Sequence, residues 1–524
     1  MKVYEISYFK SKYPKLYFIF SKLIPISSIF LIIFVFLTWY LSLKYPNTFW
    51  FYTLFFIVIV LYFWWLIRWF EYIILLIIWF TRYKNYQKIN FQNIFDAKPI
   101  SKYEKSIYKK YKHSSLKVDD IYHWVIIPTF QDPYSMLKDS FESIKNSKFD
   151  NKKIIITLAW EEADEENFKI ISKKFIEEYS GEFFYINTTL HPKWIEWELP
   201  WKGSNVNFSA RTTFQKILDL WLNPENVLVS VMDSESIVQD IYFDALSLEY
   251  CITEDDMKDK TIYQPMLFLF NRFFDSPFFS KVIALSTTFY ILAASIKWIW
   301  TRAQAVQAQS LKSLIWTNFY SVETITEDGH QYYRTYCTYN GKFQVHPVYT
   351  YILLEPVIGQ TFFESVKLQY NQIRRWAHGV LDFPYIILCM IDNKKLPKLR
   401  TLYEIFRLME VSVLWSSLQF ILLMWTIYFS LLWFKYAWLL QVITFIWFLI
   451  MIILITITLF FLPWHSLSKK RYKIYEWIKY ILYSFTIMWP MLLILNGLPA
   501  LHAQIMILIW KPLWKFNVTK KYRD

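Results

Sequence analysis

Two regimes of hydrophobic patterning divide the chain. Residues 24–43 form an uncharged apolar run, and about 20 such residues suffice to cross a bilayer as a helix. Residues 49–80 form a second, apolar apart from Arg68 and Glu71, long enough to span and run on into the interface. The first run is too long, too closely followed by the second, and too poor in small residues at its end for a cleaved signal peptide. From about residue 119 the apolar runs shorten. Residues 123–130 (HWVIIPTF), 153–158 (KIIITL), 183–187 and 227–231 read as strands, with helices at 135–146 and 205–222. Strands alternating with helices predict an α/β domain built on a mostly parallel sheet. Residues 281–300 are again apolar. A single crossing there would put the acids near 233 and 328 on opposite sides of a membrane, so an interfacial or core helix is expected. Beyond 395 the lipid-like pattern returns. An amphipathic stretch at 399–409 precedes spans near 411–434, 437–462 and 477–497, then a short apolar piece, 499–510. Whether that piece re-enters or crosses is open, and with it the side on which the basic tail lies.

Charge gives this pattern an orientation. The formal net charge of the 524 residues is +14, with 55% hydrophobic and 21% aromatic residues. Basic residues crowd 1–22 and 81–118, the flanks of the first two runs, and are nearly absent between them. Both flanks are therefore expected in the cytoplasm. Nucleic-acid binding, the other use of a basic chain, has no motif to support it. The organisation predicted is an N-terminal transmembrane hairpin (1–84), a basic cytoplasmic linker (85–118), a cytoplasmic α/β domain (119–385), interfacial helices (386–410) and a C-terminal transmembrane region (411–524). Cys251, Cys337 and Cys389 are scattered and imply neither a disulfide framework nor a metal spacing.

One composition figure is abnormal. There are 7 glycines and 26 tryptophans, whereas glycine ordinarily makes up about 7% of residues. Several tryptophans stand where a backbone wants glycine: Trp160, Trp194, Trp197, Trp201, Trp510 and Trp514. The pattern predicts UGA codons that mean glycine in the source and are rendered here as tryptophan, a reading some bacterial lineages use. The competing account is a genuinely tryptophan-rich membrane protein, and UGG codons at these positions would establish it.

The chemistry concentrates at strand ends. VLVSVMDSES (227–236) is a buried strand that breaks into Asp233 and Glu235. Such a pair at the carboxyl end of a strand can hold a divalent cation and leave room for substrate phosphates. Asp132 follows the first strand, and Glu161 and Glu162 follow the second. Those last two sit in an acidic helix start, where complementing the helix dipole is an ordinary role. Lys202-Gly203-Ser204-Asn205 opens a helix, so Lys202 could meet a phosphate there. Thr326-Glu327-Asp328 comes later, with Arg334 beyond it, and Gln372-Ile373-Arg374-Arg375-Trp376 later still.

In that order, the D-x-D-like pair, the T-E-D triplet and the Q-x-x-R-W pentapeptide resemble the membrane-embedded family 2 glycosyltransferases, the cellulose and hyaluronan synthases among them. The resemblance covers about 120–385. It implies a GT-A (nucleotide-diphospho-sugar transferase) fold inserted between transmembrane helices, and inverting transfer from a nucleotide-diphosphate sugar with Mg2+ or Mn2+. By it Asp328 is the catalytic base, and Asp233 and Glu235 bind the metal and diphosphate. Asp132, Glu161, Glu162 and Lys202 contact the donor. Glu327, Gln372, Arg375 and Trp376 line the acceptor and diphosphate side. It further implies a multi-pass protein of a bacterial plasma membrane, acting on its cytoplasmic face to extend a glycan. Two alternatives stand beside the polymer synthase: transfer of one sugar to a lipid or glycolipid acceptor, and an inactive scaffold or transport component. Glu235 departs from the usual second aspartate, and LAWEEAD from the usual Asp-rich strand end, so the donor sugar stays open. His330 and His378 adjoin the motifs and are expected to pack or hydrogen-bond.

Overall fold

A computed structural model describes residues 2–45, 48–200, 202–296, 302–432, 442, 446, 491–511 and 522. The expected spans at 437–462 and 477–497 lie almost wholly outside this set.

Before the sheet come α1 (Ile6–Lys12), α2 (Pro14–Lys44), α3 (Phe49–Tyr86), α4 (Phe91–Phe95) and α5 (Lys102–Lys112). Three described helices are long and apolar enough to cross a membrane: Pro14–Lys44, Tyr52–Tyr86 and Phe278–Ser295. The far end of α3 has another job. Leu76, Trp79, Tyr83 and Tyr86 enter the main core under the sheet, and so do Phe91, Ile94 and Tyr111 of the basic stretch.

The sheet carries eight strands: β1 (Tyr122–Thr129), β2 (Ile154–Glu161), β3 (Tyr185–His191), β4 (Val227–Val231), β5 (Ile237–Val238), β6 (Thr261–Phe268), β7 (Ala308–Ser310) and β8 (Gln344–Leu353). Their order is β3-β2-β1-β4-β7-β6-β8-β5. β1 to β4 are mutually parallel, with His123 opposite Ile154 and Tyr122 opposite Val227. Both faces of β1, β2 and β4 are covered, which is why they read as continuous apolar runs and not as alternation. β7 runs antiparallel to β4 and β6, β8 parallel to β6, and β5 antiparallel to β8. The sheet is thus more mixed than the alternation of strands and helices predicts.

The helices between are α6 (Tyr134–Lys145), α7 (Glu165–Tyr179), α8 (Lys202–Asp219), α9 (Tyr242–Ile252), α10 (Asp255–Lys258), α11 (Phe278–Ser295), α12 (Leu311–Trp316) and α13 (Glu327–Thr338). After β8 come α14 (Phe362–Trp376), α15 (Asp382–Asp392), α16 (Lys398–Leu432) and α17 (Leu498–Leu508), the last entered through a π-helical turn at Leu493–Gly497. α11 is mostly buried and packs on α3 and β6, as a core helix would. The stretch 399–409 is continuous with the following apolar run in the single 35-residue helix α16. α17, continuous with the π-helical turn before it, packs on α2, α14 and α16. The tail returns to the α/β domain: the Tyr522 hydroxyl donates to Glu364 at 2.6 Å, and Arg272 donates to the Tyr522 carbonyl at 2.7 Å.

Two features bear on the composition. Cys337 of α13 and Cys389 of α15 form a disulfide, with Cα atoms 6.5 Å apart, a pairing the scattered spacing did not imply. Trp197, Trp221 and Trp510 have φ of 71°, 57° and 54°, the left-handed region that favours glycine. Trp221 and Trp510 each follow a helix. The Leu222 and Lys511 amides reach back five residues, to the carbonyls of Ile217 and Met506. That is the Schellman ending, whose left-handed position is ordinarily glycine.

Candidate active site

Parallel pairing sends the ends of β1, β2 and β4 to one edge. Between β1 and β4 the connections diverge, one way from β1 to β2 and the other from β4 to β5 at the far edge, and such a switch point opens a crevice outside the strand ends. Asp132 closes the turn after β1, accepting from Thr129 Oγ1 at 3.0 Å and the Phe130 amide at 3.2 Å. Asp233 follows β4, and Glu235, two residues on, is buried.

Lys202 begins α8, and its Nζ lies 2.5 Å from Asp233 Oδ1 and 3.8 Å from Glu327 Oε1. Three distant parts of the sequence therefore meet at one ammonium group. Gly203 permits the approach: a Cβ there would stand 2.9 Å from both the Glu327 Cβ and the Ser321 carbonyl oxygen. Burial lifts the Glu327 carboxyl to about 7, against the pull of Lys202, with Asp328 adding to the rise and Arg375 opposing it. Lys202 is held charged: burial disfavours its ammonium, but Asp233, Glu327 and Asp328 more than offset that.

Asp328 is the second residue of α13 and half-buried. Its Oδ1 accepts from the Gly329 amide at 2.8 Å, and its carbonyl accepts from Gln307 Nε2 at 3.2 Å. Arg375 is close enough to act on the charge of Glu327. A Cβ on Gly379 would lie 3.9 Å from Thr326 Oγ1, which brings the end of the Q-x-x-R-W segment against the T-E-D triplet. Gln372 accepts from Gln369 Nε2 at 3.1 Å. Trp376 packs on the cluster of Phe279, Ile283, Ile373 and Leu495, between α11, α14 and the π-helical turn.

Glu161 and Glu162 stand farther along the edge and hold the loop before α8. Glu161 Oε2 is 2.9 Å from His191 Nδ1, whose Nε2 lies 3.2 Å from Glu198 Oε2. Glu162 accepts from the Lys193 amide at 2.8 Å. Burial disfavours the His191 imidazolium, but the two glutamates outweigh it and raise His191 to about 9. Asp164, three residues past the end of β2, ties two strand-end turns together. It accepts from the Gln131 amide at 2.8 Å and from Trp160 Nε1 at 2.9 Å. His330 and His378 do hydrogen-bond: His330 Nδ1 is 2.6 Å from Asp382 Oδ1, and His378 Nδ1 donates to the Arg374 carbonyl at 2.8 Å.

Among the described residues no three His, Cys, Asp or Glu side chains come together as a metal site. Asp233 and Glu235 still fit the way Mg2+ or Mn2+ is held, through one or two carboxylates plus water and substrate phosphates. A cation on Asp233 would have to displace the Lys202 ammonium that sits against it.

No protein-family model matches the chain, and no curated protein matches it. Among solved structures, the mannosyltransferase PcManGT from Pyrobaculum calidifontis, in complex with GDP-Man and Mn2+, is 12% identical, with 84% of this chain and 96% of that one covered at a TM-score of 0.44. S. aureus TarS 1-349 in complex with UDP-GlcNAc is 10% identical, with 50% and 67% covered at 0.29. GalNAc-T7 with UDP, GalNAc and Mn2+ is 9% identical, with 49% and 50% covered at 0.30. Likeness at these levels decides neither reaction nor substrate.

Proposed function

We propose that the protein is an inverting glycosyltransferase of the membrane-embedded family 2 type, built on a GT-A domain. It moves a sugar from a nucleotide-diphosphate donor to a glycan acceptor at the cytoplasmic face of a bacterial plasma membrane, as a polysaccharide synthase. The observation that carries this is the meeting of Lys202, Asp233 and Glu327 at the sheet edge, beside Asp328.

Each residue then has work suited to its chemistry. Asp233 and Glu235 offer carboxylates to a divalent cation on the donor diphosphate. When bound, that cation neutralises charge on the leaving group. Lys202 and Arg375 supply the rest of the positive charge, and in the absence of donor Lys202 is occupied by Asp233 and Glu327. Asp328 removes the proton of the acceptor hydroxyl. The new oxygen–carbon bond forms at the anomeric carbon as the bond to the diphosphate breaks on the opposite side. The electron pair leaves with the diphosphate, and the configuration inverts. Trp376 gives a flat apolar surface for a sugar ring at the acceptor side, next to the apolar cluster that α11 and α14 share.

The test is turnover of a nucleotide-sugar panel by the full-length protein, with and without Mg2+ or Mn2+. A metal-dependent release of nucleotide diphosphate with formation of a polymer is expected. Release with a single addition to a lipid, acceptor being in excess, replaces the polymer reading. No turnover with any donor, together with unchanged product in cells carrying Asp328→Asn, ends the enzymatic one.

A further inference from the structure

We infer that the first residues of the chain, ahead of the long apolar helix α2, form a positioning element for Asp328, with Glu5 as its key side chain. The inference rests on the reading of Asp328 as the base. It arises from contacts the mechanism does not use.

The first 22 residues are basic, with Glu5 their single acid. That acid is spent on a buried cation. Arg334 lies on α13, six residues beyond Asp328, and is 1% exposed. Its Nη1 donates to the Phe319 carbonyl at 2.6 Å, and its Nη2 forms an ion pair with Glu5. Carbonyl oxygens offer only partial charge to a guanidinium, and Glu5 is the carboxylate that reaches it. Two residues on, the Ser7 amide donates to Glu323 Oε2 at 2.8 Å. Glu323 lies four residues ahead of Glu327. The segment thus grips the chain on both sides of the Glu327-Asp328 pair, in the loop before it and in the helix after it.

A third contact closes the arrangement. The Tyr385 hydroxyl donates to the Tyr4 carbonyl at 2.9 Å, and the buried Phe9 meets the Tyr385 ring edge-on at 5.3 Å. The Tyr385 ring lies 4.6 Å from His330, the residue two beyond Asp328. Both ends of the segment are pinned separately, where Lys2 from one side and Lys12 and Tyr13 from the other converge on Asp392. A base at the first turn of a helix depends on how that turn is held. Misplacement by about 1 Å can cost on the order of a hundredfold in rate. The contacts from residues 4–7 fall on the loop, the helix and the ring that together fix this turn. A single residue, Tyr13, separates α1 from α2, so the position of the first apolar helix is tied to that of the base.

The test uses the full-length protein in lipid nanodiscs with UDP-glucose, UDP-N-acetylglucosamine and GDP-mannose as donors, together with hydrogen–deuterium exchange over residues 320–334. In Glu5→Gln, kcat is expected to fall about tenfold with the donor KM within about twofold, because the base is displaced while the donor site is left alone. Exchange over 324–330 is expected to rise. Glu5→Asp should recover most of the loss, and Lys12→Gln, which loosens only the Asp392 contact, should keep the wild-type kcat. Should Glu5→Gln fail to fold, Ser7→Pro removes only the amide donated to Glu323, at a helical first turn that tolerates proline, and kcat and exchange should move in the same directions. Wild-type kcat and wild-type exchange in Glu5→Gln, or in Ser7→Pro where it stands in, overturn the proposal. If no donor turns over even in the wild type, the enzymatic reading is what fails. Exchange then judges the clamp by itself, and an unchanged pattern over 324–330 overturns it.

Discussion

Lys202 Nζ lies 2.5 Å from Asp233 Oδ1, which joins the start of α8 to the end of β4 across the crevice. The same ammonium reaches Glu327, so one side chain holds two carboxylates that would otherwise repel. Lys202→Met is expected to raise the donor KM about ten- to a hundredfold, since hydrogen bonds to charged groups are worth ~1.5–3 kcal/mol. Donor titration against nucleotide release measures it. A KM equal to wild type would remove Lys202 from the donor site.

Asp328→Asn keeps the size of the side chain and loses its basicity. Transfer should fall by about two to four orders of magnitude, the usual contribution of a positioned general base. Binding of the nucleotide diphosphate, followed by calorimetry with Mg2+ or Mn2+ present, should stay near wild type. Asp233→Asn should show the opposite balance: metal-dependent binding lost and chemistry lost with it. Equal binding defects in both variants would contradict the division of labour.

The Glu327 carboxyl is lifted by burial from its ordinary 4.5 to about 7. It therefore holds its proton more tightly folded than unfolded. That contribution favours the fold most at low pH and disappears as pH rises from about 4.5 to about 7. Glu327→Gln should accordingly gain thermal stability relative to wild type on going from pH 5 to pH 8. A difference in melting temperature that stays flat over this range would rule out the buried-acid account.

His191 has the reverse sign. Its folded value, about 9, lies above the ordinary 6.5 because Glu161 and Glu198 outweigh its burial. The stabilisation is complete below 6.5 and lost as pH climbs towards about 9. The loop 192–200 should become more open to proteolysis or hydrogen exchange, corrected for intrinsic rates, across this window. His191→Gln should be open at every pH, and a wild-type loop equally protected at pH 6 and pH 9 would sink the prediction.

Trp221 is 95% exposed in a left-handed turn, so it has strain and little burial to compensate. Trp221→Gly should stabilise by ~1–2 kcal/mol, the cost of that conformation for a residue with a Cβ. Trp197→Gly, 86% exposed, should behave alike. Trp510→Gly should gain less, because Trp510 packs on Phe18 and lies beneath the Lys22 ammonium. The gene itself gives the sharper measurement: UGA at 221 and 510 is expected, with glycine found by mass spectrometry of protein from the source.

Half the sheet was legible because its residues carry the signal locally. In β1, β2 and β4 both faces are buried, so Ile126, Ile155 and Val229 sit in unbroken apolar runs. The second half was not. β7 is three residues, Ala308-Gln309-Ser310, and β5 is two. Neither is long enough to show a period, and each exists because long-range partners pair with it. The motifs single out residues that the fold brings together, Lys202, Asp233 and Glu327 among them, but they do not show how these are wired. The sequence offers Lys202 to a phosphate, whereas the fold also sets it between Asp233 and Glu327. It leaves Asp164 among five nearby acids, whereas only the packing of the β1 turn against β2 singles it out. Cys337 and Cys389, 52 residues apart, meet because α13 and α15 cross there.

α3 is one unbroken helix of 38 residues, about 57 Å at 1.5 Å per residue. Its first half is apolar enough for lipid, and its second half, through Trp79 and Tyr86, is cemented into the core beneath the sheet. A lever of that kind does not let the two regions settle independently. Should α3 cross a bilayer, a thicker or thinner one would tilt it, and the catalytic edge would swing with it. Lipid chain length then becomes a setting for the protein, to be fixed in every assay as carefully as pH.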